Sequence, residues 1–285
     1  MNVLVIGGSR FVGPYIINEL INHKHDVSVF NRGTAKQKYA ESVTFVKGDR
    51  NVDLGKINGE FDVVIDTCAY EGAHTLQVID KIKFKFLLHF STVAAYQKKH
   101  MFPITEDDAI GKWELWSDYN IGKVQCEEVL AASIINYGII RPTYILGSQN
   151  YLDREAFIYQ RLLMKLPIIL PGNGQAMVQF VFVQDVAKSI VAMAEQQARG
   201  AFNCVGDEII TLEGLVREMG EISKQEPIIE YNFKTDGIKH NEKEFPFANE
   251  SFICSNDKIK ELGIEFTPLL AGLKRDYLSD YKSLK

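Results

Sequence analysis

Apolar residues fall in short runs of four to eight along the first half of the chain, and helical patterns separate them. "NVLVIG" is followed by "VGPYIINELINH", in which apolar residues recur at three- and four-residue spacing. "DVSVFN" and the shorter "VTFVKGD" come next. "FDVVIDTC" precedes the helical "GAHTLQVIDKIK", and "KFLLHFSTVAAY" follows it. "NIGKVQCEEVLAAS" then leads into "YGIIRPTYILG". Runs without polar alternation are strands buried on both faces. Strands of that kind alternating with helices predict a parallel, doubly wound Rossmann-type sheet in the α/β class.

After about Gly147 the pattern loosens. A loop, a strand and a helix are expected over "PIILPGNGQAMVQFVFVQDVAKSIVAMAEQ", and "AFNCVG" is another short strand. "TLEGLVREMGEISK" is a helix with Thr211 as its N-cap, and a last helix closes at Gly263. The expected organisation is a nucleotide-binding domain over 1–150 and a smaller C-terminal α/β lobe over 151–285. Part of that lobe, about 176–205, is expected to return to the first domain.

The 285 residues carry a formal charge of −5, with 46% hydrophobic and 24% charged residues. That balance is ordinary for a soluble globular protein and does not suggest a broad nucleic-acid face. No apolar run reaches the roughly 18 residues that cross a bilayer. The first strand begins at Asn2, so no leader is expected and a cytoplasmic location is. Cys68, Cys126, Cys204 and Cys254 stand apart, which suits buried thiols better than a metal or disulfide framework. His23 and His25 are expected in an exposed helix-to-strand loop, since no clustered ligands follow them in the sequence; no metal is expected.

The turn from the first strand into the first helix, "GGSRFVG", carries the first chemistry. Gly7 suits the tight turn and Gly13 the close helix–sheet packing, while the helix N-terminus favours a pyrophosphate. Ser9, Arg10, Phe11 and Val12 fill the loop between them. This loop resembles the G-x-x-G-x-x-G turn of the extended short-chain dehydrogenase/reductases, the epimerase/dehydratase branch, with Arg10 at the middle glycine. The resemblance implies a nicotinamide dinucleotide. A basic residue three places after the first glycine favours NADP in related enzymes, and a guanidinium there suits a 2′-phosphate. The second strand ends in Asn31 and Arg32, where NAD-preferring members carry an acid; NADP is therefore expected, with NAD the alternative. The resemblance also places Asp49 at the adenine, and Cys68 and Ala69 in a cofactor-lining loop.

The same resemblance implies a catalytic hydroxyl, tyrosine and lysine. "YNIGK" puts Tyr119 and Lys123 on one helix face, and "YNIGKVQCE" keeps the family's Gly122 and Glu127. Counting back four from Tyr96 in "FSTVAAY" gives Thr92, with Ser91 as its fallback. In this reading Thr92 fixes the substrate oxygen and Tyr119 is the acid/base. Lys123 holds the nicotinamide ribose and lowers the tyrosine pKa. A second match, Tyr281 to Lys285, lies in a terminal tail and receives no role. Pro142 and Thr143 are implied to line the nicotinamide, and Asp185 to be an N-cap. Homodimerisation through the Tyr119 helix and its neighbour is the family's habit.

Two positions bear on the substrate. Nucleotide-sugar enzymes of this branch carry an arginine where this chain has Val178, and an asparagine where it has Tyr144. The expected substrate is a hydroxyl or carbonyl of a sugar, a sugar nucleotide or a small carbonyl compound. The segment after Thr92 lacks the Asp-Glu pair of the 4,6-dehydratases. The loop, "FNRG" and "DTCAY" also resemble a subgroup that includes chloroplast stem-loop RNA-binding proteins. The second reading is therefore an RNA-binding or regulatory protein on a dinucleotide fold. Lys81, Lys83 and Lys85 offer basic residues near aromatics, but more simply form a solvated face.

Overall fold

A computed structural model describes residues 1–35, 42–235 and 241–284. Seven parallel strands form the main sheet: β1 (Asn2–Ile6), β2 (Asp26–Asn31), β3 (Thr44–Lys47), β4 (Glu60–Asp66), β5 (Lys83–Phe90), β6 (Tyr137–Pro142) and, much later, β10 (Gly200–Cys204). Their spatial order is β10-β6-β5-β4-β1-β2-β3. The helices α1 (Val12–Asn22), α2 (Gly72–Lys81) and α3 (Ser117–Ala132) cross over between consecutive strands, which gives the doubly wound Rossmann arrangement. Central β1 explains the unbroken apolar runs. Val3 and Val5 enter one core with Ile16, Ile17 and Leu20 of α1, while Leu4 and Ile6 enter another with Val64, Val78 and Leu130.

The chain leaves this sheet at Thr143. β7 (Tyr144–Leu146) pairs in parallel with β9 (Met177–Phe182), and β11 (Ile209–Thr211) adds antiparallel to β9. Between them come α4 (Arg154–Met164) and β8 (Ile168–Pro171), which pairs with β12 (Ile229–Asn232). α5 (Val183–Gln196) returns to pack against α1 in the core beneath the main sheet. α6 (Leu212–Ser223), the short α7 (Asp257–Lys260) and α8 (Leu269–Asp276) complete the chain. Thr211 caps α6 by accepting the Gly214 N–H at 3.0 Å. Among the described residues no helix is long and apolar enough to cross a membrane.

Several sequence expectations need correction. Asp185 does not cap α5: it lies in the first turn, buried, and accepts the backbone N–H and hydroxyl of Thr267 at 2.8 and 3.0 Å. It ties α5 to the segment leading into α8. Tyr281 is no loose tail residue; its ring stacks on Tyr159, 5.1 Å between centroids, in the core of the smaller lobe. α4 went unrecognised in the sequence because Arg154, Glu155 and Arg161 break up its apolar face. The three lysines near β5 are exposed, as a solvated face requires, and Lys85 pairs with Asp62.

Candidate active site

A cleft of about 890 Å³ opens above the C-terminal ends of β1 and β4, where the strand order changes direction. Open α/β sheets bind ligands at this point. Gly7 has φ 97°, and a Cβ there would lie 2.5 Å from Thr67 Oγ1. Thr67 is a residue the sequence reading missed. Its hydroxyl accepts the Gly8 N–H at 3.1 Å and donates to Ile6 at 2.9 Å, so it pins the loop to β1. Gly13 is needed for a reason other than helix–sheet packing. A Cβ on it would fall 2.3 Å from the Gly8 backbone, so the first turn of α1 closes on its own loop. Ser9, Arg10, Phe11 and Val12 line the cleft between them.

Asn31 lines the cleft too, but both ends of its amide are engaged. Its Nδ2 donates to Gly7 O at 3.0 Å and its Oδ1 accepts the Gly33 N–H at 2.8 Å. It braces the glycine loop against the end of β2. Arg10 and Arg32 stand exposed at the rim, and neither has an ion pair among the described residues. Asp49 accepts the Asn51 N–H at 2.9 Å. The next residue, Arg50, was not anticipated. Its guanidinium grips Asp66 with two bonds of 2.9 and 3.1 Å and donates to His74 O at 2.8 Å. Its Nε lies buried with no partner among the described residues, at the wall of the cleft. Burial pushes the Cys68 thiol up to about 11, which keeps it protonated. Ala69 is fully buried and does not line the cleft; its carbonyl serves Lys123 instead.

Thr92, Tyr119 and Lys123 converge at the other end. Thr92 follows β5 and accepts the Ala94 N–H at 3.2 Å. Its hydroxyl hydrogen-bonds Tyr119. The fallback Ser91 is engaged elsewhere, donating to buried Glu127, which also holds Arg141 through two guanidinium bonds. α3 is locked in place by Asn120, fully buried, which accepts the Trp113 N–H at 2.9 Å and donates to Gly111 O at 2.9 Å. Gly122 lets α3 touch the loop after β4, where a Cβ would lie only 1.9 Å from Tyr70 O.

Lys123 is 1% exposed. Its ammonium donates to Ala69 O at 2.8 Å and Phe90 O at 2.6 Å, and lies 4.9 Å from the centre of the Tyr70 ring. Burial pulls its pKa below the ordinary lysine value. The expectation that Lys123 lowers the Tyr119 pKa is not met. Tyr119 is 46% exposed, and desolvation at its hydroxyl in the cleft raises its pKa; the groups that oppose the rise are the Thr92 hydrogen bond and the charge of Arg154. Lys123 is tied to two carbonyls, whereas Arg154 faces the cleft.

Arg154 opens α4 and is the principal residue of the far wall that the sequence did not reveal. Its guanidinium lies 5.0 Å from the centre of the Tyr144 ring, with no ion pair among the described residues. Tyr144 accepts the Ala248 N–H at 3.3 Å, and burial pushes its hydroxyl up to about 12. Val178 is buried beside Phe252, with which it forms a β-bridge. Pro142 and Thr143 line the cleft where β6 ends; the Thr143 hydroxyl donates to Gln179 O at 3.1 Å. Trp116, whose indole N–H has no partner among the described residues, completes this wall.

The family model for the NAD dependent epimerase/dehydratase family matches residues 3–84 and 72–204. The chain belongs to that family. It is an NAD(P)-dependent enzyme with a nicotinamide dinucleotide as its cofactor class. The chain is 29% identical to the "Chloroplast stem-loop binding protein of 41 kDa b, chloroplastic" of Arabidopsis thaliana, over 98% of this chain and 79% of that one. It is 24% identical to "Cinnamoyl-CoA reductase 1" of Oryza sativa subsp. japonica, over 97% and 89%. Among solved structures, MoeE5 in complex with UDP-glucose and NAD superposes with a TM-score of 0.81 at 19% identity, covering 100% of both chains. At that identity the likeness establishes the fold.

Proposed function

We propose that this enzyme binds NADP(H) and exchanges hydride with a hydroxyl or carbonyl carbon of its substrate, with Tyr119 as the acid/base. The observation that carries the reading is the convergence of Thr92, Tyr119 and Lys123 at one end of a cleft whose other end is the glycine loop. The cleft suits the cofactor on its own terms. Crowding at Gly7 by the Thr67 and Cys68 side chains and at Gly13 by the Gly8 backbone leaves a cradle for a pyrophosphate, and Arg50 Nε offers a buried donor with no partner among the described residues. Arg10 and Arg32 would take the 2′-phosphate. Lys123 would hold the nicotinamide ribose.

The bound nicotinamide supplies or accepts the hydride. The remaining work belongs to the chain. The Thr92 and Tyr119 hydroxyls hold the substrate oxygen, and the tyrosine proton moves to it or from it as the carbon is reduced or oxidised. Because Arg154 has no ion pair among the described residues and its charge reaches Tyr119, it opposes the rise that desolvation imposes on the phenol and favours a substrate with an anionic group. A sugar nucleotide or an acidic sugar meets that description. So does a small carbonyl acid, which also suits the aromatic wall of Trp116, Tyr144 and Phe252 and the absence of a cation at Val178.

The test is a fluorescence titration with NADPH and with NADH, repeated on Arg10→Gly/Arg32→Ala. Charge-assisted bonds contribute about 1.5–3 kcal/mol each, so the double change should weaken NADPH by about 10²–10⁴-fold and NADH little. Equal loss for both dinucleotides overturns the NADP assignment. The stem-loop name of the Arabidopsis relative favours a second reading, an RNA-binding protein. Failure of both dinucleotides to bind, together with retention of a stem-loop RNA, would put that reading first.

A further inference from the structure

His23 and His25 do not stand in a bare loop. His23 ends α1 and His25 immediately precedes β2; between them Lys24 adopts a left-handed turn, φ 61°. Both rings point at one carboxylate, Glu195, in the last turn of α5 and 172 residues beyond His23. His23 Nδ1 lies 2.9 Å, and His25 Nε2 3.0 Å, from the same oxygen, Glu195 Oε1. The three donor atoms all fall within 4.8 Å of one another. A tetrahedral zinc ion bonded at about 2.0–2.1 Å separates its donors by about 3.3 Å, close to the two nitrogen–oxygen spacings found here, 2.9 and 3.0 Å.

The surrounding groups match as well. Glu19, one turn back on α1, places Oε1 3.6 Å from the other nitrogen of His23. A carboxylate behind a metal-binding imidazole fixes its tautomer and raises its basicity. The far nitrogen of His25, Nδ1, lies 3.3 Å from the Met1 amino group, and the side chain is 9% exposed, so the ring is held in one orientation. Ligation through Nε2 puts the ring proton on Nδ1 and requires the amine to release a proton and accept that bond. Glu195 and His23 remain open to solvent on the fourth side, which gives an ion a route in.

We propose that His23, His25 and Glu195 form a binding site for a borderline divalent metal ion, with zinc the type and cobalt or nickel alternatives. Two imidazole nitrogens and one carboxylate oxygen bind it, and a water completes the sphere. The ion links the end of α1, the start of β2 and the end of α5. It therefore clamps the helix whose other end forms the dinucleotide cradle, on the side of the sheet away from Tyr119. The site is independent of the proposed reaction.

The test is calorimetric titration of the chelator-treated full chain with Zn²⁺, and visible absorption on adding Co²⁺. One ion per chain is expected, with tetrahedral cobalt bands and a higher melting temperature in zinc. His25→Ala and Glu195→Gln should each weaken binding by at least about tenfold, and Glu19→Gln by about tenfold with the stoichiometry retained. Glu195 is at the surface, so Glu195→Gln leaves the fold intact. Absence of zinc binding overturns the proposal. So does equal affinity in the wild type, His25→Ala and Glu195→Gln, which would place the ion elsewhere and leave the cluster as hydrogen bonds to one carboxylate.

Discussion

Gly122→Ala separates what helix propensity predicts from what packing predicts. Residue 122 lies in the interior of α3, where alanine is favoured over glycine by about 1 kcal/mol. Propensity alone would have this substitution stabilise the protein. The structure gives the opposite sign. A Cβ at this position would lie 1.9 Å from Tyr70 O and 3.0 Å from Tyr70 C. An ordinary carbon–oxygen contact is about 3.3 Å or more, so helix and loop must part by over about 1 Å. Both are backbone, so no side chain can swing aside. Overpacking of this kind costs about 1–3 kcal/mol, and more where nothing yields. With only backbone in contact, the upper part of that range applies, about 2–3 kcal/mol, and after the helix gain a net loss of about 1–2 kcal/mol remains, which lowers the melting temperature by about 2–8 °C in a chain of this size. The loop that must move also presents Ala69 O to Lys123, so turnover should fall by about a hundredfold, the usual penalty for a 1 Å misplacement. Thermal unfolding followed by circular dichroism measures the first effect. Gly55→Ala is the control, because nothing lies within 4 Å of a Cβ there. A melting temperature for Gly122→Ala at or above that of the wild type would refute the packing argument.

Three further outcomes follow from the same geometry. Tyr119→Phe should reduce turnover by about 10²–10⁴-fold while NADPH affinity changes by no more than a few fold; an equal loss of affinity would give Tyr119 a binding role instead. Glu127→Ala leaves the Arg141 guanidinium buried beside Tyr96 without its carboxylate, and should cost about 3–5 kcal/mol in chemical denaturation; a loss under about 1 kcal/mol would mean water replaces the carboxylate. Glu155 is buried at the start of α4, and burial raises its pKa to about 7 from 4.5 despite the Gly147 N–H and Asn150 amide bonded to it. The folded state thus holds its proton longer than the unfolded state. Stability is full below about pH 4.5 and declines by up to about 3 kcal/mol as the pH rises through 7. That slope should be absent from Glu155→Gln when melting temperatures are compared across pH 5 to 8.

The cofactor half of the cleft was legible in the sequence because its parts are local. A strand, a glycine turn and a helix follow one another, so Gly7 and Gly13 fall within a single recognisable segment. Tyr119 and Lys123 are likewise fixed by one turn of helix, and Thr92 by the end of a strand. What was missed depends on pairing across long separations. Thr67 meets the glycine loop from β4, Arg50 finds Asp66 and His74, and Glu195 reaches His23 across most of the domain. None of these leaves a periodic trace. Position alone also left structural duties unread: Asn31 lines the cleft and its amide braces the glycine loop, and the Ala69 carbonyl serves Lys123.

The same division explains how charge is distributed over the substrate wall. Position 178 lies on β9, where the bridge to Phe252 and the packing of the smaller lobe leave a buried apolar site. A guanidinium there would be desolvated without a partner, and that is costly. The cation of this wall comes instead from the first turn of α4, where Arg154 keeps contact with water and rests on the Tyr144 ring, and its charge opposes the rise in the Tyr119 pKa. In the proposed mechanism, an anion held by Arg154 would sit beside the reacting oxygen, and the same group would ease ionisation of the phenol, so that binding and proton transfer would be coupled through one side chain.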